Sequence, residues 1–354
     1  MALTCSDDYR HFAVTKGHGV KGISDLGLNA LPEQHVQPPE ERIDIRKVLS
    51  KETIPVIDML NFDDPNVANH IADAAEEWGF FQIINHGIPL EVLDNTMEAT
   101  RRFFELPLDE KIIFSQENFL TKNVRLGTSF APKEDKVLEW KDYLSLLYVS
   151  DDESSKFWPS SCRNEVLEFM KKSEFVIKWV LKALMQRLKV EIDSRESLLM
   201  GSKRINLNYY PICPNPELAV GVSRHSDAST FTFLLQDSIG GLYVQKMGKE
   251  SAWIYVPPIS GSVVINVGDA LEILSNGKYK SVEHRVAANG NSTRISVPIF
   301  VNPLPECYEL IGPIPQVLMN GEKPLYKNVL YSDYVKHFFR KSHDGKQTVN
   351  FAKI

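Results

Sequence analysis

The segment GVSRHSDASTFTFLLQD, Gly221 to Asp237, places a histidine and an aspartate two residues apart, ahead of a run of β-branched, aromatic and aliphatic residues. That run predicts a β-strand. Side chains two residues apart leave the same face of a strand, about 6–7 Å from each other along the chain. His225 and Asp227 could therefore converge on one metal ion, or they could lie as two polar residues on a solvated strand face.

The strand pattern extends in both directions from this segment, from Arg204 to Asn302. Short stretches rich in Val, Ile, Tyr, Phe and Thr alternate with turn sequences such as PICPNP, SIGG, PPISG and SNGK. This spacing predicts an all-β sandwich or barrel.

Helical patterns precede and follow the β region. Two amphipathic patterns, roughly Pro65–Trp78 and Leu90–Phe104, lie on either side of a predicted strand in GFFQIINHGIP. Asn164 is a candidate N-cap for a long helix that runs to about Val190. A last helix is predicted over Val329–Phe339. The predicted fold class is mainly β with α, a β core flanked by N-terminal helices.

The same patterns divide the chain into four stretches. We expect an irregular N-terminal arm over 1–53, a helical region over 54–200, the β core over 201–303 and a C-terminal segment with a helix over 304–354.

Composition bounds the kind of protein. The chain has 354 residues, 43% hydrophobic and 24% charged, which is typical of a globular protein with a large core. The N-terminus MALTCSDDYRHF has charges where a signal peptide needs an apolar run, and no stretch approaches the roughly 20 apolar residues of a membrane helix. A formal charge of −6 argues against non-specific nucleic-acid binding but is compatible with a local basic pocket for an anionic small molecule. Reduced thiols are expected because no C-x-x-C spacing joins the four cysteines, Cys5, Cys162, Cys213 and Cys307. We therefore expect a cytoplasmic monomer that binds small molecules, with no nucleic-acid or membrane partner.

A third candidate ligand lies near the end of the β region. The segments SVEHRVAA and STRISVPIF flank a turn at Asn289-Gly290-Asn291, which predicts one β-hairpin. In that hairpin His284 would lie opposite or diagonal to Arg294 and Ser296. An imidazole would then stand beside an arginine.

Two histidines and one carboxylate with open coordination positions are typical of the facial triad of non-haem Fe(II) enzymes. His225, Asp227 and His284 fit that description. The third residue favours the metal interpretation of the His-x-Asp segment.

Polar residues on the neighbouring strands predict a second binding group. Arg294, Ser296 and Phe300 share one strand face, and an inward arginine needs an anionic partner because an unpaired buried guanidinium is costly. Phe300 could contact a substrate or be an ordinary core residue. The opposite face should pack on the core through Ile295, Val297 and Ile299. In RINLNYY, one face carries Asn206, Asn208 and Tyr210, so a phenol and an amide could also point inward.

The order of these motifs carries a resemblance. NYYPICPNP, then HSD, then His284 after 56 further residues, then Arg294-Ile-Ser296 after nine more, resembles the plant Fe(II)- and 2-oxoglutarate-dependent dioxygenases. IPVIDM, WGFFQIINHGIP, EWKDYLSL and RISVPIFVNP are similar to the same family, so the likeness covers nearly the whole chain. The resemblance implies a distorted double-stranded β-helix, or jelly roll, with N-terminal helices packed against it.

The resemblance also implies roles for individual residues. It implies that iron is held by His225, Asp227 and His284, and that 2-oxoglutarate is bound by Arg294, Ser296, Tyr210 and Asn208. Such enzymes couple the oxidative decarboxylation of 2-oxoglutarate by dioxygen to hydroxylation of a second substrate, with ascorbate as reductant. Arginine suits the distal carboxylate because its planar fork binds a carboxylate bidentately.

Within that family, three long stretches are similar to the feruloyl-CoA and 4-coumaroyl-CoA ortho-hydroxylases of coumarin biosynthesis. They are KGHGVKGISDLGLNALPEQHVQP, LGTSFAPKEDKVLEWKDYLSLLYVS and LYSDYVKHFFRKSHDGKQTVNFAKI. This likeness implies a hydroxycinnamoyl-CoA substrate, converted to 6-hydroxyferuloyl-CoA on the route to scopoletin. Candidate substrate contacts are Phe300 and the basic residues ahead of the core, Lys122, Arg125, Lys133, Lys136 and Lys141, whose alternative is a solvated surface.

Three rival functions stay open at this stage. The first is a sister dioxygenase acting on another phenolic, such as a coumarin 8-hydroxylase or a flavonoid oxidase. The second keeps the triad and Arg-x-Ser pair without using 2-oxoglutarate, as aminocyclopropane-carboxylate oxidase does. The third is a non-catalytic binding protein that retains the fold, against which the intact triad and Arg-x-Ser pair argue.

Overall fold

The structure is a computed structural model that describes residues 6–44, 46, 48–49, 51–115, 123–130, 137–192, 195–248, 252–304, 310–319, 321–340 and 345–354. Its strands are β1 Val56–Asp58, β2 Phe80–Ile84, β3 Val124–Thr128, β4 Asp142–Tyr148, β5 Ser202–Tyr210, β6 Val220–His225, β7 Phe231–Gln236, β8 Leu242–Gln245, β9 Trp253–Tyr255, β10 Val263–Val267, β11 His284–Ala287, β12 Arg294–Asn302, β13 Leu310–Ile311 and β14 Val329–Leu330.

The α-helices are α1 Ser6–Arg10, α2 Gly19–Asp25, α3 Pro65–Glu77, α4 Leu90–Glu105, α5 Leu108–Ile112, α6 Asp151–Phe157, α7 Arg163–Arg187, α8 Glu196–Met200, α9 Asp269–Leu274 and α10 Tyr331–Arg340. A π-helical turn covers His11–Thr15, and 3-10 turns cover Glu33–His35, Pro39–Glu41, Pro216–Leu218, Pro315–Leu318 and Gln347–Phe351. Among the described residues, no helix is both long and apolar enough to cross a membrane.

Two β-sheets form the centre of the molecule. The larger has eight strands in the order β1-β2-β10-β7-β12-β5-β4-β3, and the smaller has four in the order β6-β11-β8-β9. Tyr210 and Val264 of the larger sheet share one buried cluster with Val222 and Val286 of the smaller sheet. The two sheets therefore pack face to face, as a jelly roll requires.

The outer face of the larger sheet is covered by helices. Strand β12 presents Ile295, Val297 and Ile299 to this side, all fully buried, in the same cluster as Val180 and Leu184 of the long helix α7. The predicted alternation of β12 is confirmed. Because the apolar side chains face the helices, the polar ones must face the space between the sheets.

The predicted hairpin of His284 and Arg294 is wrong. Strand β11 pairs with β6 and β8 in the smaller sheet, whereas β12 pairs with β5 and β7 in the larger one. The Asn289 side chain accepts hydrogen bonds from the backbone of Asn291 and Ser292, so the local turn forms as its sequence suggests. The turn does not determine which strand pairs with β12. The nine-residue strand β5 can pair with much more of β12 than the four-residue strand β11 could.

The predicted N-cap of the long helix is also wrong. Helix α7 begins at Arg163 with Cys162 as its N-cap residue, and no side chain caps it. The carbonyl of Pro159 accepts hydrogen bonds from the backbone N–H groups of Cys162 and Arg163, so the preceding turn starts the helix before Asn164. The helix ends at Arg187 and not near Val190.

The N-terminal arm contains more regular structure than the irregular stretch expected from its sequence. Helix α2 is held against strand β4 because the Asp142 carboxylate accepts hydrogen bonds from the backbone N–H groups of Val20 and Lys21, each at 2.8 Å. Gly19 has a positive φ of 70°, and a Cβ there would lie 2.5 Å from the same carboxylate. Burial raises the pKa of Asp142, and its hydrogen bonds oppose that shift.

Candidate active site

Three potential metal ligands meet between the two sheets. One ligand atom from each of His225, Asp227 and His284 lies within 4.8 Å of the other two. Asp227 Oδ1 is 3.6 Å from His225 Nε2 and 3.8 Å from His284 Nε2. His225 ends β6 and His284 begins β11, and the two residues are direct partners in the antiparallel ladder. Paired residues leave the same face of a sheet, which explains why the imidazoles meet.

Each histidine is oriented by its second ring nitrogen. His225 Nδ1 lies 2.8 Å from the carbonyl oxygen of Ser223, and His284 Nδ1 lies 3.3 Å from that of Val282. A carbonyl only accepts hydrogen bonds, so both Nδ1 atoms carry the proton and both Nε2 lone pairs face Asp227. This is the usual way in which a protein fixes the tautomer of a metal-binding histidine.

The Asp227 carboxylate is fixed through its other oxygen. Oδ2 accepts hydrogen bonds from Thr232 Oγ1 at 2.5 Å and from Asn266 Nδ2 at 2.8 Å, which leaves Oδ1 directed at the imidazoles. A monodentate carboxylate beside two imidazoles suits a divalent iron ion with open coordination positions. The described donor set therefore fits Fe(II).

A cationic pocket lies on the inner face of the larger sheet, the face that is turned toward the smaller sheet. Arg294, 1% exposed, donates from Nη1 to Ser296 Oγ at 3.2 Å and from Nη2 to Gln236 Oε1 at 3.3 Å. Its guanidinium carbon lies 4.9 Å from the centre of the Tyr210 ring. Asn208 Nδ2 donates to Ser296 Oγ at 3.4 Å. The sheet thus brings together the four residues that the sequence suggested for 2-oxoglutarate.

Two donors in this pocket have no protein acceptor. Among the described residues, nothing accepts a hydrogen bond from Arg294 Nε or from Gln236 Nε2, although both atoms are buried. The nearby Asp237 carboxylate accepts from the backbone of Ile295 and Ile239, and burial raises its pKa while the charge of Arg294 opposes that shift. Buried donors beside an arginine fit an anionic ligand such as a dicarboxylate.

The candidate substrate residues are dispersed. Phe300 lies on the inner face of β12, opposite Thr232 of β7, and therefore close to the metal ligands. Arg125 on β3 stacks over Tyr143, with its guanidinium carbon 5.9 Å from the ring centre. Lys141 is buried, and its Nζ lies 3.2 Å from Glu139 Oε2. Lys122, Lys133 and Lys136 lie outside the described residues.

Sequence reasoning missed the residues that support the ligands. Thr232 lies in the quoted segment, but it is five residues after Asp227 and on the next strand, β7, so alternation along one strand does not connect it with the candidate ligands. Asn266 and Gln236 belong to strands whose pairing follows from the tertiary structure alone. Glu139, whose Oε1 accepts from the backbone of Ser223 and so positions the carbonyl bound to His225, has no sequence signal either.

The C-terminal segment also supports the ligand strands. Gly345 forms a bridge with His225 and donates its N–H to the carbonyl of Arg224 at 3.1 Å. Lys346 forms an ion pair with Glu272, and its backbone N–H donates to the Glu283 carboxylate next to His284. The segment therefore contacts β6 and the residue directly before β11, next to both candidate histidine ligands.

Comparison with known proteins identifies the class. The profile of the 2OG-Fe(II) oxygenase superfamily matches residues 202–303, and that of the non-haem dioxygenase in morphine synthesis N-terminal region matches residues 54–167. The chain belongs to the 2OG-Fe(II) oxygenase superfamily, and it is an iron- and 2-oxoglutarate-dependent dioxygenase. The predicted fold class, a jelly-roll core with flanking helices, is confirmed.

The most informative relatives are enzymes that act on CoA thioesters. The chain is 63% identical over 346 residues to a feruloyl CoA ortho-hydroxylase of Ipomoea batatas, covering 97% of this chain and 96% of that protein. It is 60% identical to feruloyl CoA ortho-hydroxylase 1 of Arabidopsis thaliana, covering 97% and 95%. A bifunctional coumaroyl CoA and feruloyl CoA ortho-hydroxylase of Ruta graveolens is 57% identical, covering 98% and 95%.

Solved structures agree with the fold. JOX2 in complex with 2OG, Fe and JA superposes with a TM-score of 0.81 at 30% identity, covering 95% of this chain and 97% of that one. The rice dioxygenase for auxin oxidation shares the fold with a TM-score of 0.71 at 21% identity, covering 85% and 100%.

Proposed function

We propose that this enzyme hydroxylates the aromatic ring of feruloyl-CoA ortho to its propenoyl chain, with 4-coumaroyl-CoA as a second substrate. The product, 6-hydroxyferuloyl-CoA, leads to scopoletin. The observation that carries the proposal is the 63% identity to a feruloyl CoA ortho-hydroxylase over 97% of this chain. In the balanced reaction one atom of dioxygen enters the ring, the other enters succinate, and 2-oxoglutarate loses carbon dioxide.

We assign the iron to His225, Asp227 and His284. Their converging Nε2 and Oδ1 atoms support this role. Bound iron and 2-oxoglutarate supply the oxidising chemistry, whereas the chain positions them and keeps water out. The carbonyls of Ser223 and Val282 hold the Nδ1–H group of each imidazole, so Nε2 is the nitrogen available to bind the iron.

We assign the distal carboxylate of 2-oxoglutarate to Arg294, with Ser296, Tyr210 and Asn208 completing its pocket. The buried Arg294 Nε without an acceptor supports this assignment. The flat Tyr210 ring beneath the guanidinium fixes the plane of its fork, so that the carboxylate can accept two parallel hydrogen bonds.

We place the substrate ring near Phe300 and the CoA side of the substrate toward Arg125. Phe300 is opposite Thr232, which holds Asp227, so an aromatic substrate can contact its ring beside the iron. The sequence also suggests Lys141 as a substrate contact. Its charge is already balanced by Glu139, so we propose that it positions Glu139 and does not contact substrate.

The decisive assay offers feruloyl-CoA, 4-coumaroyl-CoA, free ferulate and scopoletin in parallel to the purified enzyme with Fe(II), ascorbate and 2-oxoglutarate. We expect ortho-hydroxylated thioesters and little product from free ferulate even at saturation, because the remote CoA group contributes binding energy that positions the ring. The Asp227→Ala variant is the catalytically inactive control. Comparable kcat/KM for ferulate and feruloyl-CoA, or much faster conversion of scopoletin, would refute the proposal and favour a sister dioxygenase.

We further propose that the enzyme acts as a cytoplasmic monomer with ascorbate as its reductant. The two described cysteines, Cys162 and Cys213, are buried free thiols, and burial raises the pKa of each to about 12. Such thiols resist oxidation, which is compatible with a reducing compartment. Sedimentation of the purified chain and its turnover with and without ascorbate test these two points.

A further inference from the structure

Two arginines lie on the inner face of the larger sheet without acidic partners. Arg204 is on β5 and Arg125 is on the edge strand β3. Among the described residues, no carboxylate lies within ion-pair distance of either guanidinium. By contrast, the side chains of Arg102 and Arg187 each lie 2.6 Å from a carboxylate oxygen. Arg204 and Arg125 therefore place two positive charges without acidic partners on one part of the sheet.

The register of the strands places Arg204 on the same face of the larger sheet as the residues beside the candidate iron ligands. Arg204 pairs with Phe300, and Phe300 pairs with Thr232, whose hydroxyl holds the carboxylate of Asp227. Directly paired residues share a face, so these side chains line the same surface. Two strand spacings separate Arg204 from Thr232, which is about 10 Å across the sheet.

Arg125 extends the same surface toward the edge of the sheet. It pairs with Ser145 of β4, and the hydroxyl of Ser145 accepts a hydrogen bond of 3.0 Å from Arg204 Nη1. Four strand spacings separate β3 from β7, up to about 19 Å. A line of donors therefore runs outward from the neighbourhood of the iron ligands.

2-Oxoglutarate is not the anion that would bind to Arg204 and Arg125. Arg294 is paired with Tyr210, six residues along β5 from Arg204, a separation of about 20 Å. The proposed 2-oxoglutarate pocket at Arg294 and the pair Arg204 and Arg125 therefore lie at opposite ends of the sheet.

The surroundings of Arg204 favour an anionic ligand. Burial lowers the pKa of Arg204, and the nearby charge of Arg125 lowers it further, whereas Tyr143 opposes the shift. A half-buried guanidinium whose only described hydrogen-bond partner is one hydroxyl is costly until a further acceptor arrives. Gly127 leaves room for the Tyr143 ring over which Arg125 stacks, because a Cβ at that position would lie 2.7 Å from that ring.

We propose that Arg204 and Arg125, with Ser145 between them, bind a phosphate group of the acyl-CoA substrate. This inference rests on the proposed function and adds the residues that recognise the CoA moiety. Guanidinium forks bind phosphate oxygens through paired hydrogen bonds, and two forks on one surface hold a doubly charged group. The flexible pantetheine arm runs outward along the donors while the ring stays at Phe300. Arg204 is thereby a specificity-determining residue for CoA thioesters.

The test compares feruloyl-CoA with feruloyl-pantetheine, which has the same ring and thioester but no phosphate. For Arg204→Gln we expect the KM for feruloyl-CoA to rise at least tenfold, while the KM for feruloyl-pantetheine and for 2-oxoglutarate changes less than twofold. Arg204→Lys, which keeps the charge and loses the fork, should fall between. The matched control is Arg46→Gln, an exposed arginine outside the β core, which should behave as wild type.

Equal losses with both thioesters would overturn the phosphate role and assign Arg204 to the acyl group or to folding. An unchanged KM for feruloyl-CoA would overturn it as well. Calorimetric binding of desulfo-CoA needs no turnover, and here Arg204→Gln should bind at least tenfold more weakly than wild type, with equal binding again overturning the site. If wild type binds desulfo-CoA but hydroxylates neither thioester, the proposed function fails and the phosphate site stands. If it hydroxylates both thioesters with the same KM, the proposed function stands and the phosphate site fails.

Discussion

Asn266 donates a hydrogen bond of 2.8 Å from Nδ2 to Oδ2 of Asp227, so the amide selects which carboxylate oxygen faces the histidines. Partners of metal-binding residues are worth about 10–100-fold in metal affinity. We expect Asn266→Ala to weaken Fe(II) binding by such a factor, as measured by titration of the apoenzyme with 2-oxoglutarate present. The exposed Asn69→Ala is the control, and an unchanged iron affinity would show that Thr232 alone orients the carboxylate.

Arg294 should set the affinity for 2-oxoglutarate and not the affinity for iron. Arg294→Lys keeps the charge and loses the bidentate fork, so the KM for 2-oxoglutarate should rise at least tenfold, or about 1.5–3 kcal/mol for a charge-assisted hydrogen bond. Initial rates over a range of 2-oxoglutarate concentrations measure this. Turnover that does not depend on 2-oxoglutarate would instead support the oxidase-like rival.

His35 should make the protein acid-labile. It is fully buried, its Nδ1 lies 3.2 Å from the Leu138 carbonyl oxygen, and burial lowers its pKa from 6.5 to about 4. The unfolded chain then binds a proton more readily than the folded one, so stability from this group is present above pH 6.5 and is lost as the pH falls toward 4, by about 3 kcal/mol.

Denaturant unfolding of wild type and His35→Gln at pH 7 and pH 4.5 tests this expectation. The variant should lose less stability between the two pH values, although it is less stable at pH 7. His70→Gln, at an exposed helix position, serves as the control. A parallel pH dependence in wild type and His35→Gln would exclude His35 as the acid-sensitive group.

Lys346 should stabilise the C-terminal segment against the ligand strands. Its Nζ pairs with the buried Glu272 and donates to the Ser281 carbonyl, so Lys346→Met leaves a buried carboxylate without its counter-ion. We expect a loss of about 2 kcal/mol in the free energy of unfolding, below the usual cost of a fully buried pair because the lysine is 28% exposed. The exposed Lys336→Met should change stability little, and equal stability of the two variants would refute the role of Lys346.

The candidate iron ligands show most clearly how much of the site the sequence can predict. The types and order of His225, Asp227 and His284 predicted a metal site, and the structure brings one ligand atom of each within 4.8 Å of the others. The alternation along a strand does not explain the first two, because β6 ends at His225 and Asp227 lies beyond it. The predicted hairpin between His284 and Arg294 does not form, although both residues lie between the two sheets. Long-range pairing of β11 with β6 and of β12 with β5 brings them there, and short-range turn chemistry cannot encode it.

The sequence by itself determined the chemistry of the chain, because metal-binding and anion-binding side chains are recognisable by type, order and alternation along strands. Only the tertiary structure decided which residues support them. Asn266, Gln236 and Glu139 reach the site from segments that are remote in sequence. Whether Arg204 has an acidic partner depends on which strands pack around it. The absence of a counter-ion depends on the packing around a side chain, so a local sequence pattern cannot predict it.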